Sequence, residues 1–93
     1  MLVGVLHIEL HIPHATGLKA RRQVVQSIKT GLRNKFNVSV AEVDHQDLWQ
    51  RAALAFACAG NDRATVDATL QRVFSIIDAR TDCEVTAHRF EFR

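Results

Sequence analysis

The sequence has little of what several classes of protein require. It contains one proline and no low-complexity tract, which excludes a disordered chain. No run approaches the ~18 uncharged apolar residues of a membrane-spanning helix, so no membrane association is expected. The two cysteines, Cys58 and Cys83, form no Cys-x-x-Cys motif and are too few for a disulfide framework. We interpret both as reduced thiols that fill strands, the alternative being a redox or nucleophilic site.

Motifs of the common enzyme classes are absent as well. The chain has no glycine-rich dinucleotide or phosphate loop, no His-Glu-x-x-His and no Gly-x-Ser-x-Gly. Its 93 residues correspond to a single domain over residues 1–93, too short for a deep active site between two domains. We therefore expect a non-enzymatic protein without catalytic residues, cofactor or metal. The alternative is an acid–base pair in the polar run from Glu42 to Arg51, otherwise a solvated hairpin loop.

Polar side chains fall at alternate positions near the N-terminus, at His7, Glu9 and His11. A secretory signal peptide has a positive start and an uninterrupted apolar stretch instead. The alternation is typical of a strand, and we expect a cytoplasmic protein.

The periodicity of the apolar residues predicts four strands and two helices. Alternation with a period of two marks strands, and spacings of three and four residues mark amphipathic helices. The predicted order is a strand over 2–12, a helix over 18–36, strands over 38–43 and 48–59, a helix over 66–77 and a strand over 83–92. This βαββαβ order favours an α+β ferredoxin-like sandwich, a four-stranded antiparallel sheet with both helices on one face and strands one and three at its centre.

Several single residues refine this prediction. Leu18 begins the apolar stripe of the first helix, and Leu48 points toward the core from the third strand. Asn37 is placed where a left-handed turn stops the first helix, and Asp62 offers an N-cap to the second. A close contact over the backbone is one explanation for Gly31 inside a helix, where glycine costs up to about 1 kcal/mol relative to alanine.

The fold leaves one sheet face without helices, and much of this open face is expected to be apolar or small. Such a patch usually marks an interface, so we expect a second copy to cover it in a two-fold homodimer. The second strand contributes either Val38, Val40 and Glu42 or Ser39, Ala41 and Val43 to this face. Phe90 and Phe92 face outward with His88 unless a bulge turns them inward. The predicted interface residues are Val3, Val5, His7, Trp49, Ala53 and Ala55, with Trp49 a packing anchor rather than a base-stacking platform.

The five histidines do not supply a convincing ligand set. His7 and His11 share a strand face at roughly 13 Å, too far apart for one ion whose bonds are about 2 Å. His7 and His88 form at most a cross-strand pair. We interpret the histidines as surface or interface residues, the alternatives being a structural metal site and a pair tuned by pH.

The net charge of +2 conceals a polarity along the chain. Residues 1–41 hold six lysines and arginines against one acid, which gives +5, and residues 42–93 hold six against nine, which gives −3. No acid lies between Glu9 and Glu42, and all six cations of the first part fall in or beside the first helix. A merely solvated helix more often mixes charges of both signs, with pairs four residues apart.

A helix ridge of one sign over small residues is typical of a surface that contacts phosphates. The predicted nucleic-acid-binding residues are Lys19, Arg21, Arg22, Lys29 and Arg33. We expect RNA or a ribosomal subunit as partner, the alternatives being a solvated face, an acidic protein or an acidic lipid surface. The third strand reads Ala-Ala-Leu-Ala-Phe-Ala over 52–57 and lacks the aromatic residues of an RNA recognition motif. Binding would therefore go through backbone phosphates.

Three segments of the chain resemble the YlxP-like family of small bacterial proteins of unknown function. They are Gly17-Leu-Lys-Ala-Arg-Arg-Gln-Val-Val25, Phe36-Asn-Val-Ser-Val-Ala-Glu-Val43 and Asp47-Leu-Trp-Gln-Arg-Ala52. Where the family pattern has serine, this sequence has Gly17. The resemblance implies a ferredoxin-like fold in the bacterial cytoplasm. It also implies a link to RNA, since genes of the family tend to lie beside those for translation initiation and ribosome maturation.

Overall fold

The computed structural model describes residues 1–45 and 48–93, and their order is βαββαβ as predicted. The elements are β1 (Leu2–His11), α1 (Leu18–Lys35), β2 (Ser39–Asp44), β3 (Arg51–Gly60), α2 (Arg63–Asp78) and β4 (Glu84–Phe92). Gln46 and Asp47, predicted to belong to the connection between the second and third strands, lie outside the described residues.

The four strands form one antiparallel sheet in the order β2-β3-β1-β4. The long strands β1 and β3 lie at its centre, from Leu2 opposite Gly60 to His11 opposite Arg51. This is the ferredoxin-like arrangement predicted from the element order.

Alternation along the central strands places one row of side chains in the core. Leu6, Ile8 and Leu10 of β1 are almost completely buried, and Leu54 and Phe56 of β3 lie beside them. The two helices cover this row with their own buried stripes, which are Val25, Ile28 and Leu32 from α1 and Val66, Leu70, Val73 and Ile77 from α2. The opposite face of the sheet carries no helix.

Helix α2 packs so closely on β1 that only glycine fits at position 4. A Cβ atom there would lie 2.7 Å from a methyl carbon of Val66 and 2.9 Å from one of Leu70, both buried side chains. This close approach fixes the distance between α2 and the sheet.

The ends of the helices differ partly from the prediction. Asp62 caps α2 as expected, because its carboxylate accepts hydrogen bonds from the backbone and hydroxyl of Thr65. The left-handed turn predicted at Asn37 is wrong, since α1 ends in an extended Phe36. Among the described residues only His45 has a positive φ, at 63°.

Two predicted core residues are instead exposed. Leu18 is 42% exposed, because it is the first residue of α1 and lies seven residues before Val25, where the buried apolar stripe begins. The third strand begins at Arg51 rather than at position 48, so Leu48 belongs to the connection and is also 42% exposed.

The registers of the edge strands β2 and β4 decide which of their side chains face the helices. Val40 and Glu42 of β2 stand opposite Phe56 and Leu54 and therefore face the helices, while Ser39 and Ala41 face outward. In β4, a register shift opposite Glu9 and Leu10 turns Phe90 and Phe92 inward, where both pack against the core. A bulge thus sets the orientation that alternation alone left open.

Candidate nucleic-acid interface

Helix α1 presents four of its six cations on one side. Its buried stripe of Val25, Ile28 and Leu32 faces the sheet. At 100° per residue, four cations project from the neighbouring side of the helix. We call them the basic flank: Lys19, Arg22 and Arg33, which are exposed, and Lys29, which is half-buried.

Arg21 does not belong to this surface, which corrects the predicted placement. It is only 5% exposed and lies on the buried side of α1. Its guanidinium donates to the backbone carbonyls of Arg51 and His45, each at 2.9 Å, and pairs with the carboxylate of Glu42. Arg21 precedes Val25 by four residues and Ile28 by seven, a spacing that already placed it on the apolar stripe.

The cations of the basic flank carry no compensating charge within residues 1–45 and 48–93, where no acidic oxygen lies within 4 Å of them. Several acids are instead engaged by other cations. Glu42 binds Arg21, Asp82 binds Arg80 and Glu91 binds Arg93. The flank therefore keeps its full positive charge toward solvent.

The other side of α1 faces α2 across a shallow groove of about 200 Å³. Ser27 and Gly31 line it from α1, and Arg80 donates to the Ser27 hydroxyl at 3.4 Å. A Cβ atom on Gly31 would meet nothing within 4 Å, so the close contact expected over its backbone is wrong. Gly31 belongs to this groove rather than to the basic flank.

The open sheet face has an apolar patch on β1 and β3 that is bordered by charged side chains. Val3 and Val5 of β1 stand opposite Ala59 and Ala57, and Ala41 of β2 extends this patch beside Ala55. Five of the six predicted interface residues lie on this face, namely Val3, Val5, His7, Ala53 and Ala55. Further along β1, charged side chains replace the apolar ones.

One cluster of charges on the open face is centred on Glu91 of β4. Its carboxylate accepts hydrogen bonds from Arg93, from Arg89 at 3.0 Å and from His7 at 3.1 Å. Hydrogen bonds from Arg93, then Arg89, then His7 lower the pKa of Glu91 to about 2. The carboxylate is therefore ionised under ordinary conditions.

A second cluster joins the open face to the connection after β2. Glu9 contacts the imidazole Nε2 of His45 at 3.0 Å and the guanidinium of Arg51 at 3.4 Å. The positive φ of His45 is accompanied by a 2.8 Å hydrogen bond from its backbone nitrogen to the carboxylate of Asp44. The backbone carbonyl of His45 accepts a hydrogen bond from Arg21, so the network reaches from the open face to α1.

Trp49 is placed differently from the prediction. It precedes β3 rather than belonging to it, and it is 55% exposed. With Leu48, Gln50 and Arg51 it lines a broad, open hollow at one end of the molecule. The predicted alternation failed here because the strand ladder stops at Arg51.

The histidines do not assemble into a metal site. His88 faces the helices, with its ring 4.3 Å from that of Phe74, whereas His7 stands opposite Arg89 on the open face. The alternative of a cross-strand pair between His7 and His88 is therefore excluded. Within residues 1–45 and 48–93, no three His, Cys, Asp or Glu side chains converge around a possible ion position.

Both cysteines are buried and unbridged. Burial is the largest influence on Cys83 and raises the pKa of its thiol, although the nearby Arg80 opposes the shift. A raised pKa disfavours the reactive thiolate.

The sheet order and the two helices on one face define the class, a ferredoxin-like α+β domain. The family described as "Protein of unknown function (DUF503)" matches residues 3–90, and the chain belongs to that family. It is 37% identical over 91 residues to "Uncharacterized protein YlxP" of Bacillus subtilis (strain 168). The matched region covers 98% of this chain and 99% of that relative. Neither helix that the structure describes is long and apolar enough to cross a membrane.

Proposed function

We propose that the protein is a non-enzymatic binding module that holds the phosphate backbone of RNA on the basic flank of α1. The observation that supports this most is the set of cations Lys19, Arg22, Lys29 and Arg33 without an acidic partner in the described residues. Neutralising phosphates releases condensed counterions, which favours binding without requiring a sequence-specific pocket.

The rigidity of α1 strengthens this proposal. Three of the four cations, Arg22, Lys29 and Arg33, are seven and four residues apart, so they follow one line along the helix surface. The buried stripe fixes the rotation of the helix on the sheet and therefore the direction of this line. A ligand with regularly spaced negative charges matches it better than a single anion does.

The proposal is tested by the fluorescence anisotropy of a labelled RNA stem-loop titrated with the protein. We expect the double variant Lys29→Glu plus Arg33→Glu to weaken binding about tenfold or more at low salt. The matched control is Arg63→Glu plus Arg72→Glu on α2, which changes the net charge equally but lies off the basic flank. Equal losses in the two variants would contradict the proposal.

An acidic protein partner is the alternative reading of the same surface. To separate an RNA partner from an acidic protein partner, unlabelled RNA and polyglutamate of matched charge are compared as competitors of the labelled RNA. We expect RNA to displace the labelled probe at much lower charge concentration. Competition by polyglutamate as strong as that by RNA would favour the acidic protein instead.

We further propose that a second copy covers the open sheet face. The apolar patch with Val3 and Val5 supplies burial, and the charged side chains around it carry both signs, which is compatible with a self-complementary two-fold interface. Sedimentation of the protein and of the variant Val5→Glu tests this. We expect a dimer that the substitution dissociates, and a monomer at high micromolar concentration would overturn the proposal.

A further inference from the structure

The loop before β3 displays two large apolar side chains, Leu48 and Trp49, next to Arg51. Trp49 is 55% exposed, although a tryptophan is normally largely buried. Leu48 is exposed next to it, and the two line a single hollow together with Arg51. An exposed aromatic ring is suited to a ligand with an apolar face. The guanidinium of Arg51 already contacts Glu9 at 3.4 Å, so the negative charge of such a ligand would be met by the basic flank.

Leu48 and Gln50, on either side of Trp49, are hydrogen-bonded to the rest of the domain. The carbonyl of Gln50 accepts from the backbone of Ile12 at 2.8 Å, and its side chain donates to Pro13 and Ala15, each at 3.3 Å. The backbone nitrogen of Leu48 donates a 3.1 Å hydrogen bond to the carbonyl of His45. The same carbonyl also accepts a hydrogen bond from Arg21. A preformed surface loses little conformational entropy when a ligand binds.

The same bonds attach the loop to the beginning of the basic flank. Ala15 lies three residues before α1, and Arg21 lies within its first turns, between the exposed cations Lys19 and Arg22. The segment with Trp49 and the beginning of α1 therefore lie at the same end of the domain.

We infer that Trp49 stacks on an unpaired base of the RNA whose phosphates lie along the basic flank. This rests on the proposed function and adds the class of RNA: one with exposed bases, such as a loop or a single-stranded end. A fully paired duplex offers no free base face for stacking, whereas every unpaired base does. Stacking on an aromatic side chain is sequence-tolerant, in keeping with recognition of the backbone.

Trp49 is the only tryptophan and the chain has no tyrosine, so intrinsic fluorescence reports on this residue alone. We expect single-stranded oligouridine to quench it in a saturable titration. A blunt RNA duplex with the same number of phosphates is expected to bind with little quenching. Binding of oligouridine without quenching would overturn the inference. A fluorescence change on dilution of the protein alone would overturn it too, because a second copy would then cover the ring.

Variants separate this inference from the proposed function. Trp49→Leu, which keeps an apolar side chain, should weaken oligouridine binding about 5- to 150-fold and leave duplex binding unchanged. Trp49→Phe should retain most of the affinity for oligouridine. Equal effects of Trp49→Leu on both RNAs would overturn the stacking role alone. Failure of both RNAs to bind the wild-type protein would instead overturn the proposed function, whereas binding of the duplex alone would overturn only the stacking role.

Discussion

The Nε atom of Arg21 donates a 2.9 Å hydrogen bond to the backbone carbonyl of Arg51. Another nitrogen of the same guanidinium donates to the carbonyl of His45, also at 2.9 Å, and pairs with Glu42. One buried cation thus binds both ends of the connection between β2 and β3. The adjacent Arg22 points to solvent, so two consecutive arginines have different roles: one holds a loop, and the other belongs to the basic flank.

Replacing Arg21 by methionine should destabilise the fold by about 3 kcal/mol. Removing one partner of a buried ion pair costs roughly 3–5 kcal/mol because the remaining charge is uncompensated. We expect the lower end, since the Glu42 side chain is 17% exposed and partly solvated. Urea unfolding monitored by circular dichroism measures the change.

The matched control for this prediction is Arg22→Met, which alters the next residue on the solvent side. Exposed substitutions usually change the free energy of unfolding by no more than about 0.5 kcal/mol. The double variant Arg21→Met plus Glu42→Leu should recover part of the loss. Equal destabilisation by the two single variants would contradict the buried role of Arg21.

Two glycines should respond to alanine in opposite directions. Gly31→Ala should stabilise the protein by up to about 1 kcal/mol, because the site is open and alanine has the higher helix propensity. Gly4→Ala should destabilise it by about 1–3 kcal/mol through overpacking against Val66 and Leu70. Thermal unfolding of both variants tests this. A loss of stability in Gly31→Ala would indicate that the groove beside α2 is occupied.

Glu91 should contribute stability that disappears in acid. Its pKa is lowered from 4.5 to about 2 in the folded protein, chiefly by Arg93 and Arg89. A lowered folded-state pKa means that the contribution is fully present above about pH 4.5 and is lost as the pH falls toward 2. Urea midpoints of the wild type and Glu91→Gln should therefore differ at pH 6 and converge in acid.

The control for the acid experiment is Glu84→Gln on the same strand, a residue without an arginine partner among those described. It should show a much smaller difference between neutral and acidic solution. High salt should reduce the effect of Glu91→Gln, because the cluster is open to solvent. A difference between wild type and Glu91→Gln that stays constant from pH 6 to pH 2 would be incompatible with the pairing.

The salt dependence of RNA binding should reflect the four cations of the basic flank. If each neutralises one phosphate, the slope of log affinity against log salt is about −2.8 for a single strand and about −3.6 for a duplex. Lys29→Gln should reduce the magnitude of this slope by about one unit, because one phosphate contact is lost. Arg21→Lys should leave the slope unchanged, since that side chain is buried. Affinity that does not vary with salt would contradict phosphate contacts.

The periodicity of the apolar residues was enough to predict the six elements, their order and the helix-covered sheet. It also placed Val3, Val5, Ala53 and Ala55 on the open face, because side chains alternate strictly along regular strands. The excess of positive charge on α1 is likewise a property of composition. These features depend on residues close in sequence, which is why a pattern reveals them.

Tertiary structure decided what depends on residues distant in the chain. The burial of Arg21 requires Glu42 and two carbonyls that lie 21 to 30 residues away, so charge alone grouped it with its exposed neighbours. Phe90 and Phe92 turn inward only because a bulge shifts the register of β4 against β1. Trp49 is exposed because the ladder with β1 stops at Arg51. The local spacing of apolar residues determines whether a segment is a helix or a strand. Pairing between strands determines at which residue each strand begins and ends, and where its register shifts.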